Sequence, residues 1–144
     1  MPRKTTLLHV LTALFLIAAC TAYDQDVPDT EANRAGFERH FGFAPPSDVT
    51  GLYYFADELG ADVLYQLSFD AAPETIARIA TTLNLETASA DRGTPELAYT
   101  FPWWDTDDLE RTTLYRKTND TEDYIWQLWY NPGTQQAYYL EYSL

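Results

Sequence analysis

The sequence predicts an α+β fold, in which a single antiparallel sheet of about five strands carries two helices packed on one face. Two segments repeat apolar residues with the period of a helix, and between them lies a segment that alternates with the period of a strand. The last third of the chain consists of short strand-like runs separated by turn residues, which is typical of an antiparallel meander. Helices and hairpins grouped in this way indicate α+β architecture rather than alternating βα units.

The first predicted helix ends at Phe41. Asp29 or Thr30 is a suitable N-cap, because its side-chain oxygen can accept a hydrogen bond from a free backbone N–H of the first turn. Phe37 and Phe41 are four residues apart and therefore lie on one face of the helix. Gly42 follows at the position where a left-handed residue commonly ends a helix.

The second predicted helix begins at Pro73, whose fixed φ angle suits the first helical position. Its apolar residues recur at helical spacing and form one stripe, at Ile76, Ile79, Ala80 and Leu83. This stripe predicts packing of the helix against the sheet. Residues 84–98, which follow the helix, show no period and are interpreted as a loop.

A hairpin is predicted between the two helices. Every second residue from Val63 to Phe69 is large and apolar, which is the pattern of a strand with one buried face. Residues 50–56 provide its antiparallel partner across a turn at residues 57–60. We expect Leu67 of this strand to be fully buried, together with Ile79 of the second helix.

Three further strands are predicted at residues 112–117, 123–130 and 136–142. The register of the last pair decides which face of the sheet Glu141 occupies. A plain four-residue turn would place Glu141 on the same face as Trp126 and Leu128. A one-residue bulge near Gly133 would instead bring to that face the apolar residues Tyr138, Leu140 and Tyr142. We therefore expect the bulge.

The two predicted hairpins resemble each other in sequence. Residues 50–70 and 112–131 share the order Thr-x-Leu-Tyr, followed by Gln-Leu-x-aromatic. Each copy predicts one hairpin. Both a duplication and a chance agreement between amphipathic hairpins account for the similarity.

The charge of the chain limits its partners. The 144 residues include 9 Lys and Arg and 22 Asp and Glu, a net charge of −13. Two of the basic residues, Arg3 and Lys4, belong to an N-terminal signal segment; without it, seven basic residues remain against 22 acidic ones, and the net charge is −15. We therefore expect no binding to nucleic acid and little attraction to anionic lipid headgroups.

The N-terminal segment has the order of an export signal. The basic Arg3 and Lys4 precede an apolar stretch, residues 7–19, that is short for an ordinary membrane-spanning helix. The stretch ends at the only cysteine of the chain, and residues 17–20 (Ile-Ala-Ala-Cys) resemble the lipobox of bacterial lipoproteins. The resemblance implies cleavage before Cys20, attachment of palmitate-type acyl chains to it, and retention of the domain on a membrane of the cell envelope. An ordinary cleaved signal with a stray cysteine is the alternative.

The resemblance also divides the chain. It implies a signal peptide over residues 1–19, a lipidated cysteine with a flexible tether over residues 20–29, and a single α+β domain over residues 30–144. In the enterobacterial sorting pattern an Asp after the cysteine retains lipoproteins in the inner membrane. Thr21 stands there instead and favours the outer membrane.

Catalytic and metal-binding motifs are not evident in the sequence. His40 is the only histidine after the signal, and lipidation would occupy Cys20, so neither a Ser-His-Asp nor a Cys-His arrangement nor a structural zinc site is predicted. Four acids crowd one turn, Asp105, Asp107, Asp108 and Glu110. Paired carboxylates could cleave a glycoside, but capping of a short helix is the preferred interpretation. We expect no catalytic residue, metal or cofactor.

The most distinctive stretch is Phe-Pro-Trp-Trp-Asp at residues 101–105. Adjacent side chains diverge in extended backbone, so Trp103 and Trp104 should not both enter one core. Exposed tryptophan is frequent at binding hot spots, which makes Trp103, Trp104 and Trp129 candidate contact residues. The leading hypothesis is a lipid-anchored, non-enzymatic domain that contacts a protein or glycan through exposed aromatic residues. The alternatives are a carboxylate-dependent hydrolase of envelope glycans and an acidic inhibitor or immunity-type protein.

Overall fold

The computed structural model describes residues 23–60, 62–89, 98–109 and 111–144. These residues form an α+β fold with one open antiparallel sheet of six strands and three helices. In chain order the elements are α1 (Glu31–Phe41), β1 (Thr50–Leu59), β2 (Asp62–Asp70), α2 (Pro73–Leu83), β3 (Glu86–Ala88), α3 (Thr106–Leu109), β4 (Thr113–Thr118), β5 (Tyr124–Asn131) and β6 (Gln136–Ser143). Across the sheet the order is β1-β2-β6-β5-β4-β3.

The two long helices begin and end as predicted, with different caps. Thr30 Oγ1 accepts a hydrogen bond from Asn33 N at 3.2 Å, and Gly42, at φ 74°, ends α1. The residue before α2, Ala72, has no capping side chain. Asp48, from a distant part of the chain, holds the start of the helix instead: its Oδ2 atom accepts hydrogen bonds from Ala72 N at 2.9 Å and from Thr75 Oγ1 at 2.8 Å.

Both predicted hairpins are present, and β6 lies between them. β1 pairs with β2, and β4 pairs with β5. A register shift near Gly51, whose φ is 60°, separates the start of β1 from its remainder. The two hairpins also differ in register, since Leu67 pairs with Tyr54 whereas the equivalent Leu128 pairs with Tyr115, the counterpart of Tyr53. Leu52 therefore packs on the helix side of the sheet, and its counterpart Leu114 packs on the other side.

The sequence predicted about five strands and two helices, one strand and one helix fewer than the structure contains among the described residues. Residues 84–98 were predicted to be a loop, but the short strand β3 pairs with β4. Three residues are too few to show an alternating pattern, and only the neighbouring strand supplies the hydrogen bonds. The third helix, α3, is the short capped turn at the acidic residues. The rest of the predicted loop, residues 90–97, lies outside the described residues.

The predicted bulge near Gly133 is wrong. β5 and β6 pair in one continuous register, from Tyr124 opposite Ser143 to Asn131 opposite Gln136. Glu141 therefore lies opposite Trp126, on the side of the sheet that carries α1 and α2. The prediction assumed that only one face of the sheet is buried. Since Tyr138, Leu140 and Tyr142 are also buried, both registers bury apolar side chains, and apolarity alone does not select between them.

The sheet has a core on each face, whereas only one covered face was predicted. On the helix side, Phe37 and Phe41 of α1 and Ile79 of α2 are fully buried against Leu67 and Tyr139 of the sheet. On the other side, residues 98–109 supply Trp104 and Leu109, which pack with a second set of buried residues, Leu114, Ile125, Trp129, Tyr138 and Leu140. A segment without long helices therefore covers the second face.

Residues 23–29, placed by the sequence in a flexible tether, are packed on the domain. The Asn33 amide accepts from Asp24 N at 2.7 Å and donates to Val27 O at 2.9 Å. The Asp29 carboxylate accepts from the backbone N–H groups of Gly51 and Leu52, at 2.9 and 3.2 Å. The packed part of the chain therefore includes Tyr23.

One glycine of α1 is required by close packing. Gly36 is buried, and a Cβ atom built there would overlap the ring of Tyr54. We expect Gly36→Ala to lower the free energy of unfolding by about 1–3 kcal/mol, because the overlap outweighs the higher helix propensity of alanine. Chemical denaturation would measure the change. The exposed position Glu38 is the control, since Glu38→Ala should stay within about 0.5 kcal/mol of wild type; equal stability of Gly36→Ala would contradict the packing.

Candidate functional site

A row of touching aromatic side chains lies along β1, on the face opposite α1 and α2 except for Tyr23, which also packs against the helix-side core. We call it the aromatic strip; its members are Tyr23, Tyr53, Phe55, Tyr99, Phe101 and Trp103. The Trp103 ring is nearly parallel to those of Phe101 and Tyr53, at centroid distances of 4.6 and 5.4 Å. Phe55 joins the rest, with centroids 5.0 Å from Phe101, 4.8 Å from Tyr99 and 5.6 Å from Tyr23. Tyr99 is 46% exposed and the other members are half-buried, so the strip presents an apolar surface to solvent.

Hydrogen bonds hold the chain segment that carries three of these rings. The side chain of Gln66, which is fully buried, pairs with the backbone of Tyr99: its Oε1 accepts from Tyr99 N at 2.8 Å, and its Nε2 donates to Tyr99 O at 3.1 Å. Trp103 Nε1 donates to Gln25 O at 2.7 Å. The strip is thus positioned from the sheet at one end and from the N-terminal segment at the other.

Each end of the strip opens into a groove. At Trp103 the groove has a volume of about 390 Å³ and includes Gln25 and Asp26. At Tyr99 it has a volume of about 510 Å³ and combines apolar side chains such as Leu64 with two aspartates. Within the described residues, the charged residues that line these two grooves are Asp26, Asp57 and Asp62.

Asp57 also interacts with Tyr99, the most exposed ring of the strip. Tyr99 OH donates to Asp57 Oδ2 at 2.5 Å. This hydrogen bond and the negative charge of Asp57 raise the pKa of the Tyr99 hydroxyl. Tyr99 therefore stays neutral at ordinary pH, and its ring is held beside the carboxylate.

The structure separates the three candidate tryptophans. Trp103 is half-exposed in the strip. Trp104 and Trp129 are only 5% and 3% exposed and pack edge to face in the second core, with ring centroids 6.2 Å apart. The neighbours Trp103 and Trp104 diverge as expected, with their ring planes at 83°. Of the three candidate contact residues, only Trp103 is therefore accessible to a partner.

A second cluster, which the sequence did not predict, surrounds Glu141 beneath α1. Its carboxylate lies 2.8 Å from His40 Nδ1 and accepts hydrogen bonds from Tyr124 OH and Tyr139 OH, at 2.5 and 2.7 Å. The side chains of His40 and Glu141 are 5% and 12% exposed. Burial alone would raise the pKa of Glu141, but the hydrogen bond and charge of His40, with the two tyrosine donors, hold that pKa below its ordinary value. The carboxylate is thus kept in its charged form.

This cluster has the order of a catalytic triad, but not the properties of one. His40 Nε2 lies 3.1 Å from Tyr54 OH, so a hydroxyl, an imidazole and a carboxylate follow one another. Tyr54 is 1% exposed, and burial raises its pKa to about 12. A nucleophile needs access to substrate and a lowered pKa. The cluster therefore stabilises the contact between α1 and the sheet. The only sign of this cluster in the sequence was Glu141, an acidic residue in an otherwise largely apolar strand.

The crowded acids near α3 have structural contacts. Asp105 Oδ1 accepts hydrogen bonds from the backbone N–H groups of Asp107 and Asp108, at 2.9 and 3.3 Å, which confirms that Asp105 caps a short helix. Asp108 Oδ1 accepts from Asn131 Nδ2 at 2.8 Å. Glu110 lies outside the described residues. Among the residues that the structure describes, no group of three His, Cys, Asp or Glu is placed to hold a metal ion.

The predicted lipidation site, Cys20, and the whole predicted signal peptide lie outside the described residues. In the part of the chain that the structure covers, no helix combines the length and apolarity needed to cross a membrane. No protein-family model, curated protein or solved structure matches this chain. The case for a function therefore depends on the residues themselves.

Proposed function

We propose that this chain is a lipid-anchored, non-enzymatic binding domain on the outer face of a bacterial membrane, and that it contacts a protein or glycan partner through the aromatic strip. The observation that carries the proposal is the row of six touching, partly exposed rings with an open groove at each end. Contiguous exposed apolar surface is costly in water and is typical of interaction sites. Aromatic side chains also dominate the energy of many interfaces.

The acidic side chains favour binding over hydrolysis. A glycosidase needs two carboxylates on either side of one bond, with one of them protonated. Asp105 is engaged as a helix cap, and Glu141 is buried with a pKa below its ordinary value. An acidic inhibitor of a basic partner is a second candidate, because aspartates line the grooves at both ends of the strip.

The proposed anchor would place the strip close to the membrane. Tyr23, a member of the strip, follows Cys20 by three residues, and three extended residues span at most about 10 Å. Residues 23–29 are packed on the domain, so they do not act as a flexible linker that would lengthen this distance. Lipidation of Cys20 would therefore hold the strip about one Debye length from the membrane surface, where it meets partners located there.

The anchor is tested by Cys20→Ser. The change removes the thiol to which the acyl chains would be attached, so we expect loss of lipid labelling and release of the protein from the membrane fraction. The neighbouring change Thr21→Ser is the control and should leave both unchanged. Fractionation with metabolic lipid labelling measures the result, and a Cys20→Ser protein that remains in the membrane fraction would disprove the anchor.

The strip is tested by Trp103→Ala. We expect this change to weaken capture of the partner by at least about 2 kcal/mol without unfolding the domain, because Trp103 provides the largest partly exposed ring of the strip. The experiment is affinity capture from detergent-solubilised membranes, followed by titration of the captured protein or glycan. Trp126→Ala is the matched control, since Trp126 is also half-buried but lies on the helix side of the sheet. Equal affinities of the two variants would contradict the strip.

A further inference from the structure

The charged residues in the two grooves at the ends of the strip narrow the class of partner. Resting on the proposed function, we infer that the strip binds a cationic polypeptide segment, in which Lys or Arg side chains alternate with apolar ones. The inference concerns the same surface as the proposed function and specifies the class of partner that binds there.

The first argument is the chemistry of the grooves. The groove at Tyr99 has apolar walls, including Val63 and Leu64, and carboxylates from Asp57 and Asp62. Lys and Arg side chains have the complementary composition, with an apolar stem and a charged tip. Such a side chain can pack its stem against the walls and pair its tip with a carboxylate. A purely apolar side chain would offer no positive charge to Asp57 and Asp62, and an anionic one would be repelled.

The second argument is that the acidic character recurs at both ends of the aromatic surface. Asp26 lines the groove at Trp103, as Asp57 and Asp62 line the groove at Tyr99. The rings between them offer apolar contact and cation–π attraction to passing ammonium or guanidinium groups. The two ends therefore fit a segment with several basic residues.

The third argument is that two of the domain's cations lie on the opposite side of the sheet from most of the strip. Arg78 lies over the ring of Phe43, 3.7 Å from its centroid, and Lys117 lies 5.1 Å from the ring of Trp126. Both rings belong to the helix side of the sheet. These two cations do not neutralise the aspartates of the two grooves, and the net charge of −13 adds long-range attraction for a cationic segment.

The test uses a defined probe with the full lipidated protein in neutral detergent micelles. The probe is a short Gly-Ser-Lys-Leu repeat peptide; comparison peptides replace each Lys by Glu or each Leu by Ser. We expect binding of the Lys-Leu peptide, weaker binding of the Lys-Ser peptide and none of the Glu-Leu peptide. Preference for the Glu-Leu peptide, or equal binding of the Lys-Leu and Lys-Ser peptides, would overturn the inference.

Matched variants separate the strip from net charge. Asp57→Asn with Asp62→Asn should weaken binding of the Lys-Leu peptide at least about tenfold, the scale of one lost charge-assisted contact. Asp107→Asn with Asp120→Asn removes the same charge from exposed sites elsewhere and should change binding less than about twofold. Equal losses in both double variants would overturn the inference, because net charge alone would explain them.

Two further outcomes assign the strip to another partner. An N-acetylglucosamine oligosaccharide whose binding depends on Trp103 but not on salt or on the aspartates would make the strip a glycan site. Quenching of Trp103 fluorescence by brominated phosphatidylcholine vesicles, unaffected by the Lys-Leu peptide, would make the strip a membrane contact.

The proposed function has its own test. If Trp103→Ala weakens capture of the natural partner but the Asp57 and Asp62 changes do not, the proposed function is retained and the inference of a cationic partner is wrong.

Discussion

Glu141→Ala is expected to lower the free energy of unfolding by about 3–5 kcal/mol, because it removes the acceptor of three hydrogen-bonded groups, each of which costs about 1–3 kcal/mol when left unpaired in a buried site. The carboxylate accepts hydrogen bonds from Tyr124 and Tyr139 and pairs with His40. Without it, these three polar groups would be left in a site where water has little access. Equilibrium urea unfolding at neutral pH measures the effect.

Two variants control this result. Glu86→Ala removes a carboxylate from an exposed site on β3 and should change stability by less than about 0.5 kcal/mol. Glu141→Gln retains the size and an acceptor oxygen but not the charge, so its cost should lie between wild type and Glu141→Ala. If Glu141→Ala were as stable as Glu86→Ala, the cluster would contribute nothing to the fold.

The contribution of the Glu141 charge should also depend on pH in a defined direction. Its pKa in the folded state lies below the ordinary value of 4.5, so the folded state binds a proton less readily than the unfolded state. The stabilisation is then complete above pH 4.5 and is lost as the pH falls through the folded-state pKa. The difference in stability between wild type and Glu141→Gln should therefore narrow below about pH 4. A gap that widens toward low pH would contradict the assigned direction.

Leu67→Ala and Ile79→Ala are each expected to cost about 2–5 kcal/mol. Both side chains are fully buried in the helix-side core, as the sequence predicted, one from β2 and one from α2. Truncation removes apolar burial and leaves a cavity that close-packed neighbours fill only in part. The denaturation midpoint measures the loss, with the exposed α2 residue Thr81 changed to Ala as the control. A midpoint unchanged in either core variant would show that its side chain is not part of the core.

Local signals in the sequence were sufficient for the long elements. Thr30, Gly42 and Pro73 mark the helix boundaries because capping and the fixed proline φ angle depend on the nearest few residues. The alternation from Val63 to Phe69 was likewise enough to predict β2 and the burial of Leu67. The composition and acidic charge also follow from the sequence without reference to a fold.

The candidate site was only partly accessible to the same reasoning. The Trp-Trp pair indicated that the two rings would not share one core, and the second was expected either to contact a partner or to cover the edge of the core. In the structure Trp104 is buried and Trp103 is partly exposed. The partners of Trp103 could not be predicted, because Tyr53 and Gln25 are distant from it along the chain. The acidic grooves depend on the same long-range contacts.

Thus the sequence by itself determined the two long helices, the two hairpins, the acidic charge and the resemblance of residues 17–20 to a lipobox, since each depends on neighbouring residues or on composition. Only the tertiary structure decided that both faces of the sheet are covered, that Glu141 lies inside with His40, and that six aromatic rings form one surface. The physical reason is that apolar patterning requires burial without specifying the partner. A buried carboxylate is tolerated only where donors from distant segments converge on it, as His40, Tyr124 and Tyr139 do here.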